Sequence, residues 1–187
     1  MTKHARMVLA DCEESLLELM NAGQNNMRRR WVATVSLLRA VGHVLDKVDA
    51  ETSPLARSVI DKKYREPRPS IFEDFIEDER NNVLKQYRFS VRGDGAIGIP
   101  TSNERVRPAV PGMPPGAIGM MTHQLGTEIR TYRFTIAPFD KGPFAGRDPI
   151  DVVREALTFW HEYLDDVDRR ISTANGPTAP TKAITPP

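Results

Sequence analysis

The sequence predicts a mainly α-helical fold: a bundle of four to five helices, with a small antiparallel β-ribbon and a long Gly/Pro-rich loop inserted before the last helix. Three observations carry this. Long stretches space their apolar residues at helical intervals, as Trp31, Val35, Leu38, Val41, Leu45 and Val48 do. Two short stretches, 87–91 and 132–136, switch to alternation of apolar and polar residues. Between them the segment GDGAIGIPTSNERVRPAVPGMPPGAIGMM holds neither pattern.

The first helix spans residues 3–20, with Leu9, Cys12, Leu16 and Leu19 as its stripe. Asn21, Gly23, Asn25 and Asn26 break the chain there. The second helix covers 26–48, long and amphipathic like a bundle helix. Ser53 before Pro54 is a helix start. The hydroxyl caps an unpaired N–H, and proline lacks the N–H that the first turn leaves idle. The third helix turns Leu55, Val59 and Ile60 inward until Pro67 and Pro69 stop it. Ser70 with Glu73 reads as a capping box that opens a fourth helix to about Gln86. Phe72, Phe75, Ile76, Val83, Leu84 and Tyr87 mark its apolar face.

The alternating stretches YRFSV and YRFTI are alike, and the simplest arrangement pairs them as an antiparallel ribbon. A connecting loop of this length is unusual in a compact domain, and such loops are often functional. Val110, Met113, Ile118, Met120 and Met121 predict that part of it packs on the body. The last helix opens with Asp148 as cap, Pro149 in the first turn and Asp151 facing the helix dipole. Its stripe is Val153, Leu157, Trp160, Leu164, Val167 and Ile171. The organisation expected is a single helical domain over 1–171, with 87–147 inserted. A disordered tail follows over 172–187, where STANGPTAPTKAITPP has no core-forming pattern.

Composition narrows the function classes. The 187 residues suffice for one well-buried domain. A net charge of +1 points to no bulk partner, so a nucleic-acid role must rest on a local patch. The single cysteine, Cys12, excludes an internal disulfide, and a reducing cytoplasm is its natural compartment. Its helical spacing among leucines reads as a small core residue. No apolar run reaches the roughly 18 residues of a membrane span. The N-terminal apolar stretch is interrupted by Asp11, Glu13 and Glu14. A cytoplasmic protein without membrane contact is expected. His4, His43, His123 and His161 make no zinc spacing, and no phosphate-cradling or dinucleotide-binding loop is present. No metal or cofactor is expected.

Arg80 is the residue that points to chemistry. It falls on or beside the apolar face of the fourth helix, with Asn81 after it. A charge there costs free energy unless it is paired or opens onto a cleft or interface. Arg80 is therefore either a structural arginine, matched to a carboxylate such as Asp46 or Asp165, or a site residue.

Arg80, Asn81 and Tyr87 resemble the arginine motif of the HEPN superfamily of helical-bundle proteins. That motif is an arginine, often followed by a polar residue, then four to six residues, then a histidine. One branch adds a tyrosine two residues later. Here Lys85 stands in the histidine's place. The resemblance implies a protein of toxin–antitoxin or phage-defence type that acts on RNA as a metal-independent endoribonuclease. It also implies a homodimer whose two motifs share a cleft. The arginine would stabilise phosphate and the histidine would move the proton. Histidine suits that work because its pKa lies near neutrality. Lys85 stays cationic unless desolvated, and Tyr87 has an ordinary pKa of about 10, so neither is a ready base. The site so implied, Arg80, Asn81, Lys85 and Tyr87, is degenerate, and catalysis stays open. His161 or His43 could supply an imidazole from a neighbouring helix.

The alternative is a non-catalytic helical interaction module. It would meet a protein partner through the acidic run Glu73, Asp74, Glu77, Asp78 and Glu79, or through the 93–127 loop. The acidic run otherwise reads as a solvated face. The basic clusters Arg28, Arg29, Arg30 and Lys62, Lys63, Arg65, Arg68 read as phosphate contacts or as solvated helix ends.

Overall fold

A computed structural model of the chain describes residues 1–21, 24–98, 117–125 and 128–176. The architecture is mainly helical. Five α-helices appear among the described residues: α1 Lys3–Met20, α2 Gln24–Val44, α3 Pro54–Tyr64, α4 Asp78–Gln86 and α5 Pro149–Ala174. Two wider π-helical stretches, Leu45–Asp49 and Ile71–Glu77, lead out of α2 and into α4.

The apolar stripes meet in one connected core. Leu9, Cys12, Leu16 and Leu19 of α1 pack with Trp31, Val35, Leu38 and Val41 of α2 and with Trp160, Leu164 and Val167 of α5. Each large side chain so buried contributes roughly 1.5–3 kcal/mol. Burial pushes the Cys12 thiol up to about 12, so it is an inert core residue. Ser53 accepts from the Ala56 N–H at 3.0 Å, and Asp148 accepts from the Ile150 N–H at 2.8 Å. The sequence also hides part of the core outside the helices. Phe139 and Phe144, in the connection to α5, stack edge-on against Phe75 at 6.2 and 5.7 Å.

Four expectations need correction. Val48 does not continue the α2 stripe and is exposed. A π-helical turn takes more residues to come round, so Asp49 arrives inside instead. There its carboxylate accepts from the His4 and Ala5 N–H groups, at 3.1 and 2.8 Å, and so caps α1. Ser70 makes no capping hydrogen bond and is itself helical, so the capping box does not form. Leu84 and Tyr87 are exposed, because only Glu79 and Val83 of α4 turn inward. Finally, 87–91 is not a strand: Tyr87 ends α4 in the left-handed region, at φ 52°.

The backbone instead runs as strands at β1 Gly93–Gly98, β2 Ala117–Leu125 and β3 Glu128–Ile136. They lie antiparallel in the order β1-β3-β2, with Gly93 opposite Ile136. Of the Gly/Pro-rich loop, 99–116 lies outside the described residues. So does 177–187 of the expected tail, while Ser172–Ala174 still belong to α5.

Candidate functional site

α2 packs against both the π-helical stretch Ile71–Glu77 and α4. That junction gathers side chains the sequence leaves far apart. Arg39 and His43, one helical turn apart on α2, come from one side. Glu77 and Arg80 come from the other, and Arg68 arrives from the segment before the π-helical stretch. The Glu77 carboxylate lies 3.0 Å from the Arg39 guanidinium and 3.8 Å from that of Arg68. Both guanidinium groups rest over the buried Phe72 ring, at 5.6 and 4.6 Å from its centroid. Behind them the Tyr64 hydroxyl donates to the Gly42 carbonyl at 2.6 Å. Burial pushes that phenol up to about 12.

Arg80 is half-buried and donates from Nη1 to the Asn81 Oδ1 at 3.0 Å. No carboxylate among the described residues forms an ion pair with it. The two partners a structural role would offer are engaged elsewhere: Asp46 with Arg57 and Lys47, Asp165 with Arg6. A guanidinium carries five donors, so one bond to Asn81 leaves most of the fork unused.

Arg80 also acts on His43. Loss of hydration, then the positive charges of Arg39 and Arg80, hold the imidazole below its ordinary 6.5, with Asp46 opposing. His43 is therefore neutral at pH 7 and able to accept a proton. Because the folded value is the lower one, this stabilisation is full above pH 6.5 and fades as pH falls through the folded value. An NMR titration is expected to place His43 below 6.5, with Arg80→Ala moving it back toward 6.5. A midpoint that Arg80→Ala leaves unmoved would separate the two residues.

The four residues of the motif do not all converge. Arg80 and Asn81 are joined. Lys85 is exposed and lies about 140° around α4 from Arg80, at roughly 100° per residue. Tyr87 is 74% exposed, its ring edge-on to Phe89 at 5.0 Å. His161 bonds Glu13 at 2.7 Å, on the α1–α5 surface. Of the imidazoles, His43 is the one whose pKa the charge of Arg80 lowers. In the basic clusters, Arg30 pairs with Glu18, and Lys63 with Glu66 and Asp166. Arg68 alone of them joins the junction.

The acidic run divides three ways. Glu73, Asp74 and Asp78 are exposed, and Glu77 faces the arginines. Glu79 is buried, accepting from the Trp31 indole N–H at 2.7 Å and the Ser90 N–H at 3.4 Å. Its spacing, four residues from both Phe75 and Val83, is the signal that marks it as inward-facing. Arg39, His43 and Arg68 carry no comparable signal, because only the packing of α2 on the π-helical stretch assembles them.

Among the described residues no group of three His, Cys, Asp or Glu is placed to hold a metal ion. No described helix is long and apolar enough to cross a membrane. No family model matches the chain, and no curated protein or solved structure shows a significant likeness to it.

Proposed function

We propose that the chain is a HEPN-like helical protein of toxin–antitoxin or phage-defence type, and that Arg80, Asn81 and His43 form a metal-independent endoribonuclease site. The observation that carries this is the half-buried Arg80, bonded to Asn81 and without a described carboxylate partner, whose charge helps to hold the His43 imidazole below its ordinary pKa. Arginine in that state offers paired N–H donors to the non-bridging oxygens of a phosphodiester. His43 would accept the proton of the adjacent 2′-hydroxyl. The 2′-oxygen then attacks phosphorus, the bond to the 5′-oxygen breaks, that oxygen takes a proton from solvent to leave as a hydroxyl, a 2′,3′-cyclic phosphate forms, and His43 returns its proton to solvent. Lys85 and Tyr87, exposed on α4, offer a cation and a stacking ring to neighbouring nucleotides. Two copies sharing the cleft is the assembly this reading expects.

The test is cleavage of mixed single-stranded RNA in EDTA by wild type, Arg80→Ala and His43→Ala, each with the wild-type circular dichroism. The expected result is cleavage by wild type that both substitutions abolish. Folded wild type that leaves RNA intact would remove the nuclease reading. It would favour the second one, a non-catalytic interaction module, which the exposed Leu84 and Tyr87 on α4 support. That module would meet its partner through these side chains and the exposed carboxylates of Glu73, Asp74 and Asp78, or through the 93–127 loop.

A further inference from the structure

Among the described residues, Arg39 and Arg68 share one carboxylate, that of Glu77. Arg39 lies 3.0 Å from it and Arg68 3.8 Å. At 3.8 Å the Arg68 contact lies beyond hydrogen-bond reach. The arginines take their positions from Phe72 and Tyr64, on whose rings they rest, not from Glu77. Two arginines thus share one carboxylate, so this contact keeps a surplus of positive charge.

A carboxylate between two arginines offers what a phosphate offers: two oxygens and negative charge at the guanidinium edge. Glu77 is three residues before Arg80, so both reach the junction from consecutive turns. We infer that Glu77 is a resident stand-in for a phosphate, filling a second subsite between Arg39 and Arg68 that a polyanion takes over when it binds across from Arg80. The inference rests on the phosphate-binding reading of Arg80 and adds a control to it. The empty site is kept neutralised, and a ligand must displace Glu77 to gain the two arginines. A single phosphate gains little from that exchange. A strand with phosphates at both subsites gains both.

The test is the affinity of a fluorescently labelled, short 2′-O-methyl oligouridylate, which resists cleavage, measured by anisotropy in EDTA. Glu77→Gln is expected to bind about fivefold tighter than wild type, the scale of one partly exposed ion pair removed as competitor. Adding Arg39→Gln to Glu77→Gln should erase the gain. Should Glu77→Gln not melt cooperatively, Glu77→Asp takes its place. That carboxylate is one methylene shorter and withdraws from Arg68, and about twofold tighter binding is expected. Unchanged or weaker binding by the folded variant, while Arg80→Ala still weakens wild type, overturns the inference and leaves the Arg80 site standing. Failure of both wild type and the Glu77 variant to bind overturns the two together. Binding by the Glu77 variant alone supports the inference.

Discussion

Trp31→Phe is expected to cost the fold about 3 kcal/mol, far more than Trp160→Phe, although both indoles are fully buried. The difference lies in one hydrogen bond. The Trp31 N–H donates to the Glu79 carboxylate at 2.7 Å. Phenylalanine would leave that buried carboxylate with only the longer Ser90 contact, and a hydrogen bond to a charged group is worth roughly 1.5–3 kcal/mol. The smaller ring also leaves space beside Phe75 and Phe139, whose centroids lie 6.1 and 6.4 Å away. The Trp160 indole nitrogen has no partner among the described residues. Replacing it removes a desolvated donor along with some volume, so the two effects oppose each other and about 1 kcal/mol is expected. In thermal melts followed by circular dichroism, Trp31→Phe should fall by about 10 °C and Trp160→Phe by a few degrees, at roughly 2–4 °C per kcal/mol for this size. Equal losses would mean that the Trp31–Glu79 bond contributes nothing net.

Gly42→Ala is expected to destabilise by about 1–2 kcal/mol, against the usual sign for a helix interior. Alanine there ordinarily gains close to 1 kcal/mol over glycine. At this position an added Cβ would stand 2.9 Å from the Trp160 Cη2, 3.2 Å from the Tyr64 hydroxyl and 3.3 Å from the Arg39 Nη1. Trp160 has nowhere to retreat, since Phe72, Phe159 and Tyr163 surround it with centroids 5.1–5.6 Å away. Arg39 is the contact free to yield, and its movement would open the contact with Glu77. The urea midpoint should therefore fall, by about 0.5–1 M at an ordinary m-value, and oligouridylate affinity should change with it. A midpoint above wild type would show that α2 and α5 move apart without cost.

The regular helices were legible because each carries its own explanation. The α1 and α5 stripes are set by local spacing, and Ser53 and Asp148 cap with the atoms that the sequence offers. What was not legible depends on the width of a turn. The 3.6-residue period passes smoothly through Val48 and places it inside, but the π-helical turn after Leu45 admits Asp49. The same period assigns Leu84 and Tyr87 to the buried face, whereas among the described residues the face past Val83 is exposed. Arg80 stood out because a charge at the edge of an apolar stripe needs a reason. Arg39, Arg68 and His43 did not, because each is ordinary within its own segment. Their proximity comes from tertiary packing, which a single sequence does not display without covarying relatives. The alternation at 87–91 misled for a related reason: it continues beyond a left-handed residue that redirects the chain, and pairing begins only at Gly93.

The π-helical stretch before α4 works as a phase setter. Its extra backbone per turn fixes the angle at which every later side chain of α4 leaves the helix axis. Rewinding Ile71–Glu77 as an ordinary helix with its length unchanged would turn α4 by about 100°, one residue's angle, relative to Phe72 and Phe75, whereas a one-residue deletion would restore the phase. On such rewinding Glu79 would leave Trp31, and Arg80 would point away from His43. Winding in this segment therefore matters more than residue type: apolar exchanges at Phe72 or Ile76 alter packing locally, whereas rewinding at constant length displaces Glu79 and Arg80 together.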